Sequence, residues 1–266
     1  MAQTGDSGSK GLNISSFGKT DVGKRRKSNQ DSIFLSPDNR FFILADGMGG
    51  HQGGEEASRL AIETVRGVFN SPDGPRQLGE VDEESLKNIP DTISRMTRAA
   101  VLEADRAVVE KGGQTPELQG LGATLETLVI GEGAATIGHV GDSRVYRLRA
   151  GALEHVTEDH SVLAEELKRR KMTPKEIKDF PFKNRITRAL GHLGDRKVDI
   201  HKYGLEKHDL FLICSDGLTD VAKDEEIESI LRETKGDPKG ACEKLVQTAL
   251  DGGGPDNVSV IVVVVG

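Results

Sequence analysis

Tryptophan is absent from these 266 residues, and with 2 Tyr and 8 Phe the aromatics reach only 4%. A core must therefore be built from Val, Ile, Leu and Ala rather than from packed rings. Long apolar runs are also lacking. The longest, VSVIVVVV at 258–265, falls far short of the roughly 20 residues that cross a bilayer. Cysteine is reduced to Cys214 and Cys242, which excludes a disulfide framework and suits a reducing compartment. Positive charge is in deficit, with 36 Lys and Arg against 43 Asp and Glu and a net charge of -7. That balance argues against a nucleic-acid surface, which carries a stripe of cations to neutralise phosphates. The one basic cluster, Lys24-Arg25-Arg26-Lys27, is too short to reverse it. The opening MAQTGDSGSKGLN has no apolar centre, so it is no secretory signal. A cytoplasmic protein without nucleic-acid or membrane partners is expected.

What is present is a globular composition, 35% hydrophobic and 30% charged. Residues 1–13 read as a flexible polar tail and 14–266 as one domain, since no linker or repeat divides them. Strands are expected at 32–36, 40–46, 124–131, 134–141, 144–151, 210–216 and 257–265, each β-branched or apolar and bounded by Gly, Asp or Pro. The short gaps GEGA (131–134) and GDS (141–143) suit antiparallel hairpins. Helical periodicity puts Ala57, Ala61, Val65 and Val68 on one face of 54–69, and Ile93, Met96, Ala100 and Ala104 on one face of 91–113. Two more helices are expected at 224–234 and 239–250, and a shorter pair between 161 and 180 that contains the capping box TPKE (173–176). Together these imply an α+β fold: a sandwich of two antiparallel sheets with helices on both outer faces.

Six aspartates lie at the edges of these strands: Asp31, Asp46, Asp142, Asp216, Asp220 and Asp256. One Asp-Gly is ordinarily a turn, because the side chain bonds its own backbone. Six in one chain ask for more. If the strand ends converge, the carboxylates repel unless a cation lies among them, and hard oxygen ligands suit Mg²⁺ or Mn²⁺. After Asp46 the turn is bare, with Gly47, Gly49 and Gly50 leaving backbone carbonyls and water free to approach. Two such metals about 3.5–4 Å apart activate a bridging hydroxide and neutralise a phosphoryl group. Arg26, five residues before Asp31, is a candidate for binding the phosphate.

The stretches DVGKRRKSNQDS (21–32), LADGMGGHQGGEEAS (44–58), GATLETLVI (122–130), GHVGDSRVYRL (138–148), ITRALG (186–191), LICSDGLTD (212–220) and GGPDNVSVIVV (253–263) resemble, in order, those of the metal-dependent protein phosphatases of type 2C in their bacterial form. The resemblance spans about residues 16–265. It implies a protein serine/threonine phosphatase that attacks phosphoserine or phosphothreonine with a metal-bridging hydroxide and opposes a Ser/Thr protein kinase. By the same resemblance Asp46 bridges two Mn²⁺ or Mg²⁺, the Gly47 carbonyl ligates one, Asp216 and Asp256 hold the other, and Asp31 acts through water. Asp142 and Asp220 would serve a weaker third metal, Arg26 the substrate phosphate, and about 163–186 a flap beside the site. His51 stands as general acid or as a structural hydrogen-bonding group, and His160 as a structural donor. The chain departs from the pattern at Gln30, where many relatives carry Glu, and at Ala123, where many carry Thr. Neither cysteine has an Arg six residues on, and no GxxxxGK[ST] loop occurs, so a cysteine phosphatase and a P-loop NTPase are excluded. An inactive scaffold of the same fold would show damage at Asp46, Asp216 or Asp256, and all three are intact.

Overall fold

Seven of the eight residues of Val258–Val265 are buried, a pattern that only a strand covered on both faces produces. It forms β11, inside one of two antiparallel sheets in a computed structural model that describes residues 13–71, 91–131, 133–183, 185–192, 197–234 and 236–266. The expected tail lies outside the described residues except for Asn13.

The first sheet runs β1 (Ile14–Asp21), β11, β10 (Leu210–Cys214), β7 (Arg144–Arg149), β8 (Ala152–His155). The second runs β2 (Asp31–Leu35), β3 (Phe41–Met48), β5 (Leu125–Gly131), β6 (Ala134–Val140), β9 (Asp199–Gly204), with the short β4 (Gly122–Ala123) beside β3. Between the sheets Phe42, Leu44, Leu128 and Ile137 meet Val145, Phe211, Ile213, Ile261 and Val263. On the outside of the second sheet lie α1 (Gly50–Asn70) and α2 (Thr92–Gln114), sealed by Ala57, Ala61, Val65, Ala100, Val101, Ala104 and Val108. On the outside of the first lie α5 (Asp216–Thr219), α6 (Asp224–Glu233) and α7 (Pro238–Asp251), through Leu218, Ile227, Leu231, Leu245 and Val246. The order is helix, sheet, sheet, helix. Two more helices, α3 (Val162–Arg169) and α4 (Pro174–Lys178), bury no residue and stand outside these layers. The expected capping box closes α4: Thr173 accepts from the Glu176 backbone and Glu176 from the Thr173 backbone.

Four strands were not expected: β1, the two-residue β4, β8 and β9. The expected strand 210–216 ends at Cys214, and Asp216 opens α5 instead. On α2 the buried stripe is centred on Thr97, Ala100, Val101, Ala104 and Val108, with Met96 only half-buried. No helix among the described residues is long and apolar enough to cross a membrane.

Candidate functional site

Antiparallel pairing delivers the acids to one place. The register of β2 and β3 sets Asp31 directly opposite Asp46. In the other sheet β10 ends and β11 begins at the same edge, so Asp216, two residues beyond β10, and Asp256, two before β11, share that edge. Asp142 follows β6, and Asp220 caps α5. A hydrogen bond joins the two sheets here: Ser215 Oγ donates to Asp31 Oδ2 at 2.9 Å, while the same oxygen accepts from Ser259 N at 3.0 Å. Asn257 fixes the loop that carries Arg26. Its Nδ2 donates to the carbonyls of Val22 and Ser28 at 2.9 and 3.0 Å, and its Oδ1 accepts from Gln30 N at 2.8 Å. Thr124 grips Asp46 twice, accepting from Asp46 N at 3.0 Å through Oγ1 and donating N–H to the Asp46 carbonyl at 2.8 Å.

The bare turn has a steric reason. A Cβ on Gly47 would stand 1.9 Å from the Gly54 carbonyl oxygen and 2.7 Å from that of Gln30. A Cβ on Gly54 would stand 2.6 Å from the Gly47 carbonyl oxygen. Strand end and helix start therefore touch through backbone alone.

The electrostatics are those of crowded acids. Asp46 and Asp216 are both held well above the ordinary carboxylate range, first by desolvation and then by neighbouring carboxylates: Asp46 by Asp31, Asp216, Asp142 and Asp256, and Asp216 by Asp142, Asp220, Asp256 and Asp31. Asp31 is raised to about 6 by burial, against hydrogen bonds from Ser259, Ser215 and Asp46 that pull it down. Asp142 is raised to about 6 by burial and by Asp159. Asp220 rises through burial, opposed by Lys183 and Arg144. Asp31 Oδ1 and Asp216 Oδ1 are buried and accept no hydrogen bond. A divalent cation would satisfy those oxygens and remove the repulsion, so the donor set fits a hard metal. Among the described residues no three His, Cys, Asp or Glu side chains close around one metal-sized position.

Arg26 sits at the rim, 52% exposed, donating from Nη2 to Asp256 Oδ2 at 2.6 Å. The six expected aspartates and Arg26 thus come together. His51 lies in the first turn of α1, and its side chain is outside the described residues. His160 does not act only as a donor. Its Nδ1 accepts from Gly141 N at 3.0 Å, next to Asp142, which leaves the proton on Nε2 to donate to Asp199 Oδ2 at 3.1 Å. Burial holds its pKa down, consistent with that neutral form.

Four residues carry roles that their sequence context does not announce. Ser215, Asn257 and Thr124 position the acids, and Asp159 adds a further carboxylate, gripped by Arg144 through Nε at 2.8 Å and Nη2 at 2.7 Å. The available signal was a polar residue wedged against an apolar run, as in LICSD and PDNVSV. The buried pair Glu126 and His139, joined at 2.6 Å with neither side chain exposed, was also missed.

The family model described as Protein phosphatase 2C matches residues 23–248. The chain is 36% identical over 250 residues to protein phosphatase PhpP of Streptococcus pneumoniae, covering 92% of this chain and 94% of that one. To the serine/threonine phosphatase stp of Listeria welshimeri it is 31% identical over 248 residues, covering 92% and 93%. Among solved structures, the catalytic domain of the serine/threonine protein phosphatase PstP in complex with two manganese ions superposes with a TM-score of 0.80 at 31% identity, over 96% of this chain and 100% of that one.

Proposed function

Because the chain belongs to the protein phosphatase 2C family, the metal-dependent protein serine/threonine phosphatases, we propose that its carboxylate cleft is where phosphoserine and phosphothreonine esters on proteins are hydrolysed. The single observation that carries this placement is the pair of buried carboxylate oxygens without a partner, Asp31 Oδ1 and Asp216 Oδ1, inside a cluster of acids that raise one another's pKa.

In this reading Asp46 and the Gly47 carbonyl would hold one cation, with Asp31 helping through water, and Asp216 and Asp256 would hold a second beside Asp46. Asp142 and Asp220 would hold a weaker third. Mn²⁺ and Mg²⁺ both suit these oxygens. Bound there, the cations would lower the pKa of water enough to make it a nucleophile at neutral pH and would offset the charge on the phosphoryl oxygens. The protein's own groups do the rest. Arg26, half exposed, turns its guanidinium from Asp256 to the substrate phosphate, where a planar fork matches two oxygens. Asn257 keeps the Arg26 loop against the cleft. Ser215 orients Asp31, and Thr124 fixes the strand end that carries Asp46. His51, in the first turn of the helix that follows Asp46, is the candidate for protonating the leaving oxygen.

The substrate setting is a phosphoprotein made by a Ser/Thr protein kinase, in the cytoplasm, acted on by one domain spanning 14–266. The test is phosphate release from a phosphothreonine peptide with Mn²⁺, then with excess EDTA, beside Asp46→Asn. Turnover that requires the metal and is lost in the folded variant is the expected result. Undiminished turnover in Asp46→Asn would remove the cleft from the chemistry.

A further inference from the structure

Residues 162–188 hold nine Lys or Arg against four Asp or Glu, a net +5 in a chain of net -7. They form α3, α4 and the return to the second sheet, and the segment is pinned at its root. Ser161 bridges Ile186, Val162 N donates to the Arg185 carbonyl at 2.9 Å, and Thr187 N donates to the His160 carbonyl at 2.7 Å. Part of the positive charge is used locally: Arg170 on Glu166 and Glu176, Lys168 on Glu158, Arg188 on Asp199. Arg169, Lys171, Lys175, Lys178, Lys183 and Arg185 are all exposed and form no ion pair among the described residues. This excess is more than the segment's own fold needs.

Two of these cations face the site. Lys178 and Lys183 line a cavity of about 250 Å³ together with Asp142, Asp159, Asp216 and Asp220. Arg26 lies with Asp256, which is not among the residues of that cavity. An acidic cleft alone repels an acidic peptide. Cations beside it change that for residues that flank a bound phosphate, because the cavity that Lys178 and Lys183 line shares Asp142, Asp216 and Asp220 with the cleft.

We propose that Lys178 and Lys183 form a substrate subsite that selects phosphoproteins with anionic side chains flanking the phosphorylated residue. The inference rests on the cleft being the phosphatase site. A carboxylate and a second phosphate present the same chemistry to two ammonium groups, so either source fits. Both lysines are exposed, so each contact is screened and modest, and its effect lies in selection and encounter rate rather than in anchoring.

The experiment measures kcat/KM with Mn²⁺ on four phosphothreonine peptides of equal length: flanked by glutamates, by a second phosphothreonine, by neutral residues and by lysines. p-Nitrophenyl phosphate, which has no flanks, reports whether the chemistry is present at all. The wild type is expected to favour the anionic peptides over the lysine-flanked one by roughly tenfold, at two- to fivefold per exposed pair. That ratio should shrink in about 0.5 M salt and approach one in Lys178→Ala/Lys183→Ala, whatever the absolute rates do. A glutamate peptide and a doubly phosphorylated one that rank differently identify the favoured source, and either ranking supports the subsite. A flat ratio in the wild type, or the same ratio in the double variant, overturns the subsite and leaves the phosphatase site standing. No hydrolysis of any substrate, p-nitrophenyl phosphate included, overturns both.

Discussion

At the scale of the residue, the cleft depends on side chains that are missing as much as on those present. Gly47 touches Gly54 and Gln30 through backbone only, and a methyl group there would meet the Gly54 oxygen at 1.9 Å. Gly47→Ala is therefore expected to push β3 and α1 apart at a cost of roughly 1–3 kcal/mol or more. Thermal unfolding checks the stability and phosphate release the site, and a variant that melts like the wild type and keeps full activity would contradict the close approach. Arg26 acts differently, being exposed and paired with one carboxylate. Arg26→Ala is expected to raise KM for a phosphopeptide about tenfold, the value of one charge-assisted contact, with a smaller change in metal affinity. An unchanged KM removes Arg26 from phosphate binding. The acids themselves were legible in the sequence, because an Asp at the end of an apolar run is visible. Ser215, Asn257 and Thr124 were not, since a small polar residue at a strand edge looks the same whether it caps a turn or aims a carboxylate.

At the scale of the element, what was legible follows position in the sheet. β3, β5, β6, β10 and β11 have neighbours on both sides and read as apolar runs. Apart from the two-residue β4, the strands missed, β1, β8 and β9, are all edge strands, and their half-exposed faces give sequences such as ISSFGKTD and DIHKYG with little alternation. β2 is the fourth edge and was found because DSIFL keeps an apolar run. Helices were clearer because their apolar spacing shows in the sequence, and some also start with a capping side chain. Asp91 accepts from Ser94 N at 3.0 Å and Ser94 Oγ at 2.7 Å at the head of α2, whose stripe packs on the second sheet. Asp91→Ala is expected to cost about 1 kcal/mol, a fall in Tm of about 2–4 °C for a chain of this size. Asp91→Asn should recover most of it, and equal losses in the two variants would assign the effect to the Lys202 ion pair instead.

At the scale of the whole molecule, the acid cluster makes stability depend on protons and metal together. Asp142 is held at about 6 and Glu126 at about 7, both first by burial, while an unfolded chain titrates them near 4. Asp31, Asp46 and Asp216 are raised as well. At these carboxyls the folded state thus binds more protons than the unfolded one between about pH 4 and pH 7, partly offset by His155, His160 and His201, which burial holds below the ordinary imidazole range. Stability gained from these raised carboxyls is full below the unfolded pKa and is lost as pH rises through the folded one. The metal-free protein is therefore expected to lose denaturation free energy from pH 4.5 toward 7, a tenfold difference in proton affinity between the two states being worth about 1.4 kcal/mol per group. Saturating Mn²⁺ should replace the protons at the cleft, flatten that slope and raise Tm at pH 7. Denaturant titrations at several pH values with and without the metal check this, and parallel slopes would mean that the cation binds elsewhere.

The place of β11 carries one more consequence. It lies between β1 and β10, and its register joins Ile14 to Val265 and Asp21 to Val258. The first strand of that sheet waits for the last before it has any partner in it. Folding must therefore close a loop of nearly the full chain, a topology that slows the search. Asp256 sits two residues ahead of that closing strand. Asp31, Asp46, Asp142 and Asp216 all precede β11 in the chain, and Asp256 joins them only through the loop that enters it. The pairing that gives β1 its partner and the approach of Asp256 to the other acids are therefore one event.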